Sequence, residues 1–162
     1  MKALIIYDSV FGNTQQIAQA VGAALGLHPG VEILRVSEVK PEQLAGLDVL
    51  VVGSPTRGFR PTPAISQLLA SMPGNGLMGA RVAAFDTRVS LSDIHSSVGR
   101  FFVKTGGYAA KPMADRLKKC GGSLALQPEG FYVQGEKGPL KEGELERAAA
   151  WAAQLIAAGG NR

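Results

Sequence analysis

The chain has 162 residues, 46% hydrophobic and 19% charged, which suits a single domain over residues 1–162 with a real core and excludes a disordered chain. Its one cysteine, Cys120, excludes an intrachain disulfide and a four-thiolate metal site, and points to a reducing, cytoplasmic setting. The net charge of +4 gathers in the middle: residues 1–54 carry three basic and five acidic side chains, residues 55–120 ten and three, and residues 121–162 four and five. Without basic runs or interleaved aromatics, that spread argues against nucleic acid as a partner.

Lys2–Tyr7 is a short apolar run of the kind buried on both faces of a parallel sheet. It meets Asp8 at once, and neither it nor any later stretch has the length of a signal segment or a membrane span. Ile17, Val21, Ala24 and Leu25 recur at helical spacing, and Gly26 offers a stop. Val31–Val36 and Val49–Gly53 read as the next two strands, and Ile65, Leu68 and Leu69 place a helix after Pro63. Arg81–Phe85 reads as the fourth strand. Val89–Lys104 predicts a short helix opened by Ser92, with Ile94, Val98, Phe101 and Phe102 on one side, and 92–104 is a candidate homodimer surface. Met113–Cys120 belongs to another helix, and Ser123–Val133 is a strand interrupted around Pro128-Glu129-Gly130. Leu145, Ala149, Ala152 and Ile156 form the apolar side of the last helix, with Trp151 and Leu155 also packing. Strands and helices that alternate in this way imply parallel pairing with right-handed crossovers. The fold class is therefore α/β, a doubly wound sheet with helices on both faces.

Ser9-Val10-Phe11-Gly12-Asn13-Thr14 joins the first strand to the first helix. A helix N-terminus carries unpaired N–H groups and a partial positive charge, so hydroxyl and amide side chains gathered there make an anion cradle. Lacking the lysine of a nucleotide-binding P-loop, the segment suits a monophosphate; a plain turn capped by Asn13 or Thr14 stands as the alternative. Tyr7–Thr14 resembles the phosphate loop of the flavodoxin family, Ser/Thr-x-Thr-Gly-x-Thr, with Phe11 in place of the usual threonine. The resemblance covers the whole chain in length and element order. It implies a flavodoxin-like five-stranded sheet in the order 2-1-3-4-5, with FMN at the switch point. It also implies that Ser9, Asn13 and Thr14 contact the phosphate by their side chains, and that Val10, Phe11 and Gly12 do so by their N–H groups.

Two further loops resemble that family's flavin loops. Gly53–Pro61 supplies Pro55, Thr56, Arg57, Gly58 and Phe59, with glycine for close approach, an aromatic face and two prolines for stiffness. Asp86, Thr87 and Arg88 follow the end of the fourth strand, where Asp86 and Arg88 pairing with each other is the alternative reading. Tyr108 is either a cover for the ring's second face or a packing residue at a helix start. The implied function is electron transfer between redox partners. The alternatives are an FMN-dependent oxidoreductase acting on a quinone or protoporphyrinogen-like substrate, with 89–105 in its pocket, and a flavin-free interaction module. Arg57, Arg60 and Arg88 against Asp86 leave two net positive charges beside the ring, which would raise its potential and favour a partner with an acidic surface. Metal-ligand spacing, a Gly-x-Ser-x-Gly elbow and a receiver aspartate after the third strand are all missing from the sequence.

Overall fold

The computed structural model describes all residues except 27–28, 95–96, 98–106 and 160–162. Its strands are β1 (Ala3–Tyr7), β2 (Val31–Arg35), β3 (Val49–Pro55), β4 (Arg81–Val89), β5 (Ser123–Leu124) and β6 (Glu129–Val133). The helices are α1 (Asn13–Ala24), α2 (Pro63–Ser71), α3 (Ala110–Lys119) and α4 (Glu144–Ala157), with 3-10 turns at Val36–Glu38, Pro41–Leu44 and Leu91–Asp93. One parallel sheet runs in the order β2-β1-β3-β4-β5, with β6 also beside β4. No helix among the described residues is long and apolar enough to cross a membrane.

The apolar runs are strands because both of their faces are covered. Leu4, Ile6, Leu50, Val52, Val82 and Ala84 pack toward α2 and α3, while their alternates Ala3, Ile5, Val49, Val51, Ala83 and Phe85 pack toward α1 and α4. Gly53 is where β3 admits a large neighbour: a Cβ there would fall inside the Phe85 ring. That ring meets Phe131 and Trp151 edge to face, with centroids 5.9 and 6.1 Å away. The register sets Tyr7 opposite Gly53 and Gly53 opposite Phe85, so β1, β3 and β4 deliver their following segments to one edge.

Three expectations are corrected. β4 does not stop at Phe85: Asp86, Thr87 and Arg88 are strand residues, because β6 pairs Phe85–Val89 on one side and β3 pairs as far as Thr87 on the other. The break in the last strand falls at residues 125–128, ahead of Glu129 and Gly130, which lie in β6. On α4 the buried side is Ala148, Trp151, Ala152 and Leu155, while Leu145 and Ile156 are exposed, because Trp151 is drawn into the Phe85–Phe131 cluster. The helix expected over Val89–Lys104 shows a turn at Leu91–Asp93, and Val98, Phe101 and Phe102 lie outside the described residues.

Glu144 ties α4 to β6. Its carboxylate accepts the Tyr132 N–H at 2.7 Å and both Nε and Nη2 of Arg147, at 2.9 and 2.7 Å. Burial pushes the Glu144 carboxyl up, but the hydrogen bonds from Arg147 and Tyr132 outweigh it and hold the group below its ordinary value. A depressed folded value means stability that is present above the unfolded pKa and lost as pH falls through the folded one. Glu144→Gln should therefore be less stable than wild type at pH 7, with the gap closing below roughly pH 4.5. Denaturant unfolding at pH 7 and pH 3 checks this, and a gap of constant size would contradict it.

Candidate functional site

The segment after β1 ends at Gly12, the N-cap of α1, in a left-handed conformation (φ 94°) and with no side chain capping the helix. The first-turn N–H groups therefore keep no acceptor inside the helix, and no acidic residue stands in that turn. Ser9 Oγ accepts the Gly12 N–H at 3.0 Å, which curls the loop. Arg35, at the end of β2, braces it from behind by donating to Asp8 Oδ1 at 3.2 Å and to the Ser9 carbonyl at 3.0 Å. Thr14 is buried, its hydroxyl 2.8 Å from that of Thr87 on β4.

After β3 the chain makes a two-residue turn. Arg57 N–H donates to Arg60 O at 2.8 Å and Arg60 N–H to Arg57 O at 3.1 Å, with Gly58 and Phe59 both at positive φ, 54° and 68°. A phenylalanine held there costs on the order of 1–2 kcal/mol, so the surroundings must fix it. Ser54 does part of this, its Oγ accepting the Thr62 N–H at 3.0 Å.

At the end of β4, Asp86 is fully buried. Arg88 donates to it twice, at 2.6 and 2.7 Å, and the Ala110 N–H that opens α3 donates at 2.8 Å. The Arg88 guanidinium lies 3.8 Å from the Tyr108 ring centroid and over Gly130, where any Cβ would displace it. Tyr108 thus packs at the start of α3 and donates its hydroxyl to Val89 O at 3.2 Å.

A fourth segment carries no signal in the sequence. Beyond β6 the chain folds back as a hairpin, Val133 bridging Leu140 and Gln134 N–H donating to Pro139 O at 2.9 Å. Its tip reaches α1, where Asn13 Nδ2 donates to Lys137 O at 3.2 Å, and Glu136 stands 3.8 Å from Arg57.

Between these segments lies a narrow pocket of about 110 Å³. Ser9, Val10, Phe11, Asn13 and Thr14 line it from the first loop, Pro55, Thr56 and Arg57 from the second, and Thr87 and Arg88 from β4. Val89, Val133 and Glu136 also line it and were not expected. Gly12 is set back as the helix cap. Gly58 and Phe59 face away, into a separate hollow of about 870 Å³ bounded by α2 and α3. Asp86 is not on the pocket wall; its carboxylate is spent on Arg88 and α3. Among the described residues no three His, Cys, Asp or Glu side chains gather as metal ligands.

A family model described as a flavodoxin domain matches residues 4–132. The chain belongs to the flavodoxin family. It is 33% identical over 141 residues to an NADPH-dependent diflavin oxidoreductase 1 of Emericella nidulans, covering 83% of this chain and 19% of that protein. It is also 40% identical over 52 residues to a flavodoxin of Picosynechococcus, covering 32% of this chain and 31% of that one. The chain thus spans less than a third of each of these curated relatives. Oxidised flavodoxin 1 from Bacillus cereus superposes with a TM-score of 0.74 at 15% identity, covering 97% of this chain and 98% of that one, a likeness of fold.

Membership of the flavodoxin family implies FMN as the cofactor and an electron-transfer or oxidoreductase role. The residues present fit its phosphate end: an uncapped helix start without acids, the hydroxyls of Ser9 and Thr14, and the Asn13 amide around one small pocket. Phe11 brings no hydroxyl, and the Arg57 guanidinium lies over its ring, 5.8 Å from the centroid.

Proposed function

We propose that this flavodoxin domain is an FMN-dependent electron carrier whose partner protein presents an acidic surface. FMN supplies one- and two-electron redox chemistry, and the chain's part is to bind it, orient it and set its surroundings. Ser9, Asn13, Thr14 and the first-turn N–H groups of α1 would hold the phosphate, while Pro55–Arg57 and Arg88 would flank the rest. The observation that carries the reading is the size of the pocket. About 110 Å³ is too small to enclose a flavin ring, since pockets that enclose drug-sized ligands run to roughly 300 Å³ or more. Among the described residues nothing encloses a ring anchored here, which suits a carrier.

The charge around the site is more nearly balanced than the sequence alone suggests. Arg88 is matched by Asp86 and Arg57 faces Glu136, whereas Arg60 has no carboxylate partner among the described residues. One net positive charge remains instead of two, and the electrostatic preference for an acidic partner is correspondingly modest. The test uses two small acceptors of opposite charge, ferricyanide and hexaamminecobalt(III), reoxidising the reduced holoprotein. Ferricyanide rates should fall as salt rises and cobalt rates should climb, with both trends weakened in Arg60→Gln. Salt trends of the opposite sense would overturn the reading.

One observation favours a second reading, an oxidoreductase with its own organic substrate such as a quinone. It is the 870 Å³ hollow beside the turn, walled by Phe59, Leu69 and Met113. Ala70→Trp, at its rim, would then abolish saturable quinone reduction while leaving FMN binding intact; a pure carrier would be unaffected.

A further inference from the structure

The Arg57–Glu136 pair crosses the mouth of the phosphate pocket, and its role depends on FMN being the ligand of that pocket. Both residues line the pocket with Ser9, Asn13 and Thr14. They come from segments far apart in sequence, the turn after β3 and the hairpin after β6, and the second is tethered to the cradle by the Asn13–Lys137 hydrogen bond. On the pocket wall the other cation, Arg88, is committed to Asp86 by two short hydrogen bonds, and Arg35, behind the loop, is engaged by Asp8 and the Ser9 carbonyl. Arg57 is held far more loosely. Its nitrogen is 3.8 Å from the Glu136 carboxylate, beyond hydrogen-bond distance, and the two side chains are 44% and 76% exposed. Exposed pairs of this kind contribute little and exchange partners at little cost.

We infer that Arg57 is the counter-charge for the ligand's phosphate, held at the mouth by Glu136 until the phosphate arrives. A phosphate monoester carries between one and two negative charges near neutrality and offers a guanidinium a forked set of acceptors, so it outcompetes a distant carboxylate for Arg57. Glu136 then faces the phosphate as a like charge and subtracts from affinity. Glu136 thereby sets how tightly the anionic ligand is held, and Arg57 adds to the preference for the anionic form. The flavin ring takes no part in this exchange.

The test measures FMN and riboflavin affinities by quenching of flavin fluorescence on the apoprotein. Arg57→Gln should weaken FMN about ten- to a hundredfold, the loss of a hydrogen bond to a charged group. Glu136→Gln should tighten FMN about two- to fivefold, Arg57→Lys should keep most of the preference, and riboflavin should move less than about twofold throughout. Both substituted side chains are exposed, and matching thermal unfolding curves confirm intact folds. FMN binding unchanged in Arg57→Gln, weakened FMN binding in Glu136→Gln, or equal shifts for the two ligands would overturn the inference. A wild type that fails to prefer FMN over riboflavin would count against the FMN reading itself.

Discussion

Asp86→Ala is expected to cost the fold about 3–5 kcal/mol, measured by denaturant unfolding. The substitution removes both acceptors of Arg88, whose side chain is only 17% exposed, together with the acceptor of the Ala110 N–H at the start of α3. Burial pushes the Asp86 carboxyl above its ordinary value against the pull of Arg88, so ionising it opposes folding. By the sign of that shift, acid does not weaken the fold through Asp86; the stability linked to the group is present below its unfolded pKa and lost as pH rises through the folded one. What makes the residue indispensable is the cation it leaves stranded. Replacing both partners, Asp86→Leu with Arg88→Met, should therefore cost less than Asp86→Ala alone. A loss under about 1 kcal/mol for the single variant would show that Arg88 escapes to water unaided.

Thr14→Ala should weaken FMN about ten- to a hundredfold while leaving riboflavin nearly unchanged, because in the proposed site the hydroxyl serves the phosphate and nothing else on a flavin. Its hydrogen bond to Thr87 complicates the stability of the variant, since a buried hydroxyl on β4 is left without that partner. Thr14→Ser keeps the hydroxyl and should keep the FMN preference. Equal losses for FMN and riboflavin in Thr14→Ala would mean that the side chain shapes the pocket as a whole.

How far this arrangement was legible depended on the range of the interactions involved. β1 and β3 could be read because a strand covered on both faces needs apolar residues at every position, and Ala3–Tyr7 and Val49–Val52 supply them. The loop from Ser9 to Thr14 could be read as an open helix start because its geometry is local to six residues. The end of β4 could not, since Asp86-Thr87-Arg88 is polar and becomes strand through pairing with β3 as far as Thr87 and with β6, more than forty residues downstream. The turn at Arg57–Arg60 hid for a related reason: it places Phe59 where glycine or asparagine is the usual signal. Most remote is the hairpin after β6, whose contact with the cradle joins Asn13 to Lys137 across 124 residues of sequence. No periodicity or local motif announces such a contact, and with it went the place of Glu136 on the pocket wall. Trp151, Ala152 and Leu155 pack as expected, while Leu145 and Ile156 were misplaced because the turn of α4 is set by Phe85 and Phe131 on other elements.

That the start of α1 and its neighbouring side chains hold the phosphate of FMN is tested most directly by titrating the wild-type apoprotein with FMN and riboflavin under the same conditions. Three charge-assisted hydrogen bonds at about 1.5 kcal/mol each predict a preference for FMN of roughly a thousandfold. Equal affinity for the two flavins, or no binding of either, would contradict it.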